Sequence, residues 1–187
     1  MTRGCGTVAA VLLTVGGIAL GTSAAFAQDA DETQARAETT PGTSRYAAPV
    51  QEELERLGLH PLCESLGPTR TRCTFHHVTS DARHEIVGHA LYSDESDTVY
   101  VWIPAILTAL PDDPAIDALL RRLMELNWSM LATKLEWNPT DGEVRISAVQ
   151  HTDSNCDRRA FRNLVRVVLS QAERYRPALT RLLRETE

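Results

Sequence analysis

The chain has 187 residues, of which 25 are acidic and 19 are Lys or Arg, so its formal net charge at pH 7 is −6. This acidic balance argues against nucleic acid as a partner, because the phosphate backbone binds basic surfaces. The length suffices for one domain with a hydrophobic core.

Residues 1–27 have the organisation of a secretory signal peptide. Arg3 supplies the charged start, an apolar run covers residues 8–20, and Ala25 and Ala27 mark a predicted cleavage site. This run is shorter than the roughly 20 residues that span a bilayer. We therefore expect cleavage after Ala27, no stable membrane span afterwards, and export to a periplasm or to the extracellular space; an uncleaved N-terminal anchor is the alternative.

Residues 28–48 contain no Leu, Ile, Val, Met, Phe or Trp. Such a segment cannot bury enough apolar surface to offset the entropy lost on ordering. It is predicted to be a flexible linker to a single domain at residues 49–185. The domain begins with a short amphipathic helix from about Val50 to Leu57, which Gly58 ends. A loop with Pro61, Gly67 and Pro68 is predicted next.

Three strands are predicted at residues 71–78, 85–92 and 98–103, and a three-stranded meander is the simplest arrangement. Gly88 within the second strand indicates a bulge or a close backbone approach. Alternation in the third strand separates two faces. One face carries Val99, Val101 and Ile103, and the other carries Tyr100 and Trp102.

A helix and a hairpin follow. Asp113 is predicted to cap the helix, with Pro114 in its first turn. Strands at about 133–137 and 143–148 alternate apolar and polar residues around a turn that contains Gly142. The helix should pack on the apolar face of this hairpin.

The chain ends in a long amphipathic helix that Pro177 is expected to kink or split. Residues 157–187 contain 8 Arg and 4 acids, whereas residues 28–156 contain 10 basic and 21 acidic residues. Arg158, Arg162 and Arg166 form a stripe at four-residue spacing. This basic strip either pairs with the acidic body of its own chain, meets an acidic patch on another chain, or is solvated.

The predicted order is therefore α-β-β-β-α-β-β-α, an α+β domain in which helices pack on an antiparallel sheet. Three motifs resemble the YbjN family: Leu119–Trp128 with its Leu-Asn-Trp ending, the turn from Trp137 to Gly142 that leads into Glu143-Val144-Arg145, and Arg174–Leu179. The resemblance covers about residues 48–183. It implies a fold like that of type III secretion chaperones, and members of the family are described as sensory transduction regulators.

No stretch carries a catalytic signature, so no catalytic residue, metal ligand or cofactor site is assigned. His84 and His89 flank a segment that resembles the zinc-protease motif, but their spacing is one residue too long for a shared helix face. In a strand, an odd offset places them on opposite faces. The six His residues leave open, as the alternative, an exported metal-binding protein or hydrolase.

The cysteines fit an exported protein. A Cys63–Cys73 disulfide is favoured and would stabilise the domain by about 2 to 3 kcal/mol. Cys156 is then left over, as a buried thiol, an intermolecular bridge or the true partner of one of the others.

Function is predicted to be protein binding without catalysis, by an exported module that forms a homodimer. The candidate partner-binding residues are Tyr100, Trp102, Trp128, Arg158, Arg162 and Arg166. The alternative interpretation of each aromatic residue is an ordinary core residue. A third possibility is a sensor of a small ligand or of envelope stress, with no residue assigned to it.

Overall fold

The computed structural model describes residues 44–81, 84–152 and 155–185. The predicted signal peptide, with Ala25 and Ala27, and most of the predicted linker lie outside these ranges. Within them, no helix has the length and apolarity that a membrane crossing requires.

The described region is an α+β domain with three helices and a six-stranded sheet. The helices are α1 (Ala47–Arg56), α2 (Ile116–Ser129) and α3 (Arg158–Arg184). The strands are β1 (Leu62–Gly67), β2 (Arg70–Val78), β3 (Glu85–Ser93), β4 (Thr98–Thr108), β5 (Lys134–Trp137) and β6 (Glu143–His151). All neighbours pair antiparallel, in the order β1-β2-β3-β4-β6-β5.

The predicted α+β class and antiparallel sheet are confirmed, with one strand more than expected. Residues 62–67 were predicted to belong to a loop, but they pair with β2 as edge strand β1. Four of these six residues are exposed, so the segment lacks the alternation that marks a half-buried strand. The sheet therefore begins before Pro68 rather than after it.

Both long helices differ from the prediction at their proline residues. Helix α2 begins at Ile116, because Asp113 forms a turn instead of a helix cap: its Oδ1 accepts a hydrogen bond from the Ala115 backbone N–H at 2.8 Å. Helix α3 is not split and continues through Pro177 to Arg184. Loss of one backbone N–H is tolerated there, since Ala172 and Leu179 on either side are buried in the core.

All three helices contribute to a single core on one face of the sheet. In β4 the buried side chains include Val99, Val101 and Ile103, which the alternation placed together on one face, and also Ile106 and Leu107. Phe161, Val165, Val168 and Leu169 of α3 pack into the same core. The sheet is thus sealed on one side by helices, and its burial supplies the main stabilisation of the domain.

Helix α2 is held against β5 by a polar residue. The Asn127 side chain donates from Nδ2 to the Leu135 carbonyl at 3.0 Å and accepts from the Leu135 N–H at 2.7 Å. These bonds satisfy backbone groups on the outer side of β5, which is an edge strand. Asn127 therefore fixes how α2 lies beside the sheet.

Contacts of the domain begin before the predicted linker boundary at residue 48. The Ser44 hydroxyl is buried and lies 2.5 Å from the Thr71 hydroxyl. The Arg45 backbone N–H donates to the Asp94 carboxylate at 3.0 Å. The four residues from 44 to 47 are consequently part of the folded structure.

A disulfide joins Cys63 to Cys73, which lie opposite each other on β1 and β2. The predicted pairing is therefore present, and it fastens an edge strand to its neighbour. Cys156 is a buried free thiol, and burial raises its pKa. Of the three roles open to this residue, the structure shows the buried thiol.

A buried carboxylate connects α1 to α3. The Glu53 side chain is inaccessible to solvent and pairs with Arg56 at 2.8 Å, with Arg158 at 3.5 Å and with Arg162. Burial alone would raise the pKa of Glu53, but the hydrogen bond and charge of Arg162, together with the other two Arg residues, lower it. Glu53 is therefore ionised at neutral pH and needs these partners.

We expect Gly88→Ala to lower the free energy of unfolding by about 2 kcal/mol. A Cβ at this position would lie 2.3 Å from the Phe75 ring, which is fully buried on the neighbouring strand. Val87→Ala changes an adjacent side chain that faces away from the core and should cost less than about 1 kcal/mol. Urea unfolding measures both, and equal losses would contradict the close approach.

We expect Arg162→Met to lower the free energy of unfolding by about 3 kcal/mol, since it leaves the Glu53 carboxylate buried with weaker compensation. Arg166→Met, one turn along the same helix at an exposed position, should change it by less than about 0.5 kcal/mol. Urea unfolding of both variants at neutral pH gives the comparison.

The pH dependence provides a second test of Glu53. Its pKa is lowered from an ordinary value of 4.5, so its contribution is complete above pH 4.5 and is lost as the pH falls through the lowered value. The stability difference between wild type and Arg162→Met should therefore shrink below pH 4.5. A difference that is constant with pH would show that Arg162 acts by packing alone.

Candidate protein-binding surfaces

The face of the sheet opposite the helices is here called the open face. Its side chains alternate with those of the core, and no helix in the described ranges packs on it. It carries Thr74, Val87, His89, Leu91, Tyr100, Trp102, Arg145, Ser147 and Val149. Val87 and Val149 are exposed, at 38% and 45%. A partly apolar sheet surface therefore faces away from the domain's own core.

An aromatic row lies at the centre of the open face. His89 and Trp102 are directly opposite each other on β3 and β4, with ring centroids 4.8 Å apart. Tyr100, two residues before Trp102 on β4, also stacks with Trp102, with a centroid distance of 5.0 Å. Thr74 Oγ1 lies 3.0 Å from His89 Nδ1 and extends the row to β2. Tyr100 and Trp102, both predicted as partner-binding residues, are thus brought together and are partly exposed.

One end of the row is fixed by a carboxylate on β5. Glu136 Oε2 accepts hydrogen bonds from the Tyr100 hydroxyl at 2.7 Å and from the Ser147 hydroxyl at 2.8 Å, and Glu136 Oε1 pairs with Lys134 at 2.6 Å. Burial would raise the pKa of Glu136, but these donors lower it. The carboxylate therefore stays charged and holds the Tyr100 ring in place.

The histidine of the row is neutral at physiological pH. Burial lowers the pKa of His89, and the positive charge of Arg72 lowers it further. A neutral imidazole stacks on Trp102 without the cost of burying a charge. The row is consequently an aromatic surface, with charged groups only at its margins.

A second apolar surface lies on and just after α2. Met124, Trp128 and Leu131 are exposed at 74%, 94% and 103%, and we call them the α2 patch. Met124 and Trp128 are four residues apart and share one side of the helix. Trp128, the third aromatic residue predicted to bind a partner, is therefore separate from the open face and contributes nothing to the core.

Two of the three arginines in the basic stripe of α3 form ion pairs within the domain. Arg158 pairs with Glu52 at 2.5 Å and with Glu53, and Arg162 pairs with Glu53. Arg166 is exposed and makes no ion pair with any described residue. Of the alternatives that the sequence left open, pairing with the acidic body applies to the first two arginines. Partner binding by the stripe stays a prediction.

The histidines are dispersed. His76 pairs with Glu85, His77 with Glu173, and His89 with Thr74. Among the described residues, no group of three or more His, Cys, Asp or Glu comes close enough together to hold a metal ion. His84 and His89 have separate surroundings: His84 lines a cleft beside α3, and His89 lies against Trp102 and Thr74.

Sequence reasoning missed several residues of these surfaces. His89 and Glu136 lie beside the aromatic row because of how β3, β4, β6 and β5 pair. This pairing register cannot be read from the sequence alone. Met124 could have been predicted to belong to the same exposed surface as Trp128, since it is four residues before Trp128 and lies outside the apolar face of the helix.

Comparison with known proteins does not assign the chain to a family. No family model matches the chain, and no curated protein matches it. Among solved structures, the chain is similar to a chain in the "Crystal Structure of the ExsC-ExsE Complex", with 16% sequence identity and a TM-score of 0.48. The alignment covers 71% of this chain and 91% of that one. Membership of the YbjN family therefore stays a prediction from sequence motifs.

Proposed function

We propose that this protein is an exported, non-enzymatic module that binds a protein partner on its open face. The observation that carries the proposal is the aromatic row of His89, Trp102 and Tyr100 on a sheet surface that no described helix covers. Large aromatic side chains that are held rigidly and left partly exposed are typical of the centres of protein interfaces.

The margins of the open face support the same function. Charged residues surround the aromatic row, with Glu64 and Arg72 paired on one side and Lys134 and Glu136 paired on the other. An apolar, aromatic centre with a polar rim is the usual anatomy of a protein interface. A partner segment with apolar side chains flanked by charges of both signs would match this surface.

Export is supported by the signal-like residues 1–27 and by the Cys63–Cys73 disulfide. Disulfides persist mainly in oxidising compartments such as the periplasm and the extracellular space. We further propose a regulatory or envelope-related role of the kind that the YbjN resemblance implies.

A homodimer is proposed through the α2 patch, with a second copy of the chain as the occupant. An apolar surface as exposed as Trp128 is costly in water and is often covered by association. Arg121 beside the patch is exposed, and Glu125 pairs with Arg122 of the same helix at 2.9 Å, so the margin of the patch carries charges of both signs that a second copy can match.

We expect Trp102→Ala to weaken partner retention at least about tenfold, because truncation of a central aromatic residue removes much of the binding energy. The immobilised protein is exposed to the exported proteins of its source cells, and retained proteins are quantified by mass spectrometry. Leu110→Ala truncates an exposed apolar residue, at 51%, that lies outside the strands of the sheet, and it serves as the control. Retention of the same proteins in equal amounts by all three would refute the proposed site.

We expect the wild-type protein to have twice the mass of one chain by light scattering at micromolar concentration. Trp128→Glu should give the mass of a single chain, because a charge cannot be buried in the dimer interface without a partner. Val78→Glu makes the same change at another exposed apolar position and should remain dimeric. A single-chain mass for wild type at all concentrations would disprove the homodimer.

A further inference from the structure

A cleft of about 550 Å³ lies between the end of β2, the start of β3 and the C-terminal part of α3. Ile86 and Pro177 form apolar parts of its wall, and Arg176, Arg181 and Arg184 line it from α3. Its volume is in the range of small-molecule sites. None of its lining residues belongs to the open face or to the α2 patch.

The three arginines of this cleft are not used to hold the fold together. Within the part of the chain that the structure describes, none of them forms an ion pair, whereas Arg158 and Arg162 at the other end of the same helix are paired with buried or neighbouring Glu residues. Three guanidinium groups on one side of a helix repel one another weakly unless an anion lies between them. Their donors are therefore available to a ligand.

The two acidic residues of the cleft are bound to the neighbouring turn. Glu173 lies 2.7 Å from His77 Nε2 and accepts a hydrogen bond from the Ser80 hydroxyl at 2.9 Å, and Asp81 accepts one from the Thr79 hydroxyl at 2.7 Å. Burial would raise the pKa of Glu173, but the bonds from His77 and Ser80 lower it. These contacts fix the turn against α3 and so give the cleft a defined wall.

The helix dipole does not account for all three arginines. Cations in the last turn of a helix stabilise its negative end, which explains Arg181 and Arg184. Arg176 lies about two turns before the helix end, beyond the range of that effect. It nevertheless faces the same cleft, together with the Thr180 hydroxyl.

We propose that this cleft binds a compact small-molecule anion with at least two negative charges, of the phosphate or polycarboxylate class. The planar guanidinium groups of Arg176 and Arg181 match such oxygens with paired hydrogen bonds, and Arg184 adds charge at the mouth. Ile86 and Pro177 provide contact for a short apolar part of the ligand. The site would add ligand recognition to a module whose proposed partner binds elsewhere.

Calorimetric titration of the purified full chain with pyrophosphate and with citrate tests this proposal at low salt. We expect at least one of them to bind with a stoichiometry of one per chain. Binding of pyrophosphate alone assigns the phosphate class, binding of citrate alone assigns the polycarboxylate class, and binding of both supports a general polyanion site.

Removing cleft arginines should weaken binding in steps. Arg176→Gln should reduce the affinity about tenfold, and Arg176→Gln combined with Arg181→Gln should abolish detectable binding. Arg159→Gln removes the same charge from an exposed position at the other end of α3 and should leave the affinity within about twofold. Circular dichroism of each variant confirms that the comparison is between folded proteins.

Three results would overturn the proposal. One is that neither anion binds at millimolar concentration; another is that all variants bind equally, which would show that the cleft is not the site. A poly-glutamate peptide that binds through Arg176 while both small anions fail would instead assign the cleft to an acidic protein segment. None of these results bears on the open face, since the two sites share no residue.

Discussion

The unequal burial of the two sheet faces is the constraint on which the rest of the structure depends. Every described helix packs on the side that carries Phe75, Tyr92 and Val101, and all three side chains are fully buried. A strand cannot shift its register by one residue without exchanging its two faces. The same alternation that seals the core therefore places His89, Tyr100 and Trp102 on the surface, where they are available to a partner.

The packing of α1 against α3 also determines which arginines of α3 are paired with acidic residues. The C-terminal helix is rich in arginine while the preceding region is acidic, and Arg158 and Arg162 in its first half pair with Glu52 and Glu53 of α1. Burying Glu53 joins the first and last helices of the domain through charge as well as packing. In the part of the chain that the structure describes, Arg176, Arg181 and Arg184 of the second half form no ion pair, and they line the cleft beside Pro177.

Much of the fold could be predicted from hydrophobic periodicity, because apolar and polar residues alternate along each half-buried strand and so distinguish its two faces. Alternation alone placed Val99, Val101 and Ile103 on one face and Tyr100 and Trp102 on the other, and the structure shows that the first of these faces is buried in the core. Strand β1 was missed because the prediction relied on this alternation. Most residues of this edge strand are exposed, so its sequence does not alternate between apolar and polar residues. Asp113 was misplaced because the residue types that cap helices also stabilise turns.

The candidate surfaces were only partly predictable. The sequence identified Tyr100, Trp102 and Trp128 as aromatic residues of interest, but it could not show which of them meet. Their separation into an aromatic row and an α2 patch depends on strand register and on which side of α2 faces the sheet. Long-range pairing of this kind is absent from local sequence patterns, and the position of Glu136 beside Tyr100 is a further example.

Hydroxyl-radical footprinting of the purified full chain, with side-chain oxidation read by mass spectrometry, measures the asymmetry between the faces directly. Tyr100 and Trp102 should be oxidised considerably faster than Tyr92 and Phe161, which are fully buried on the helix side. Equal protection of all four residues would mean that the open face is covered in the protein itself, and it would contradict the claim that this face is available for binding.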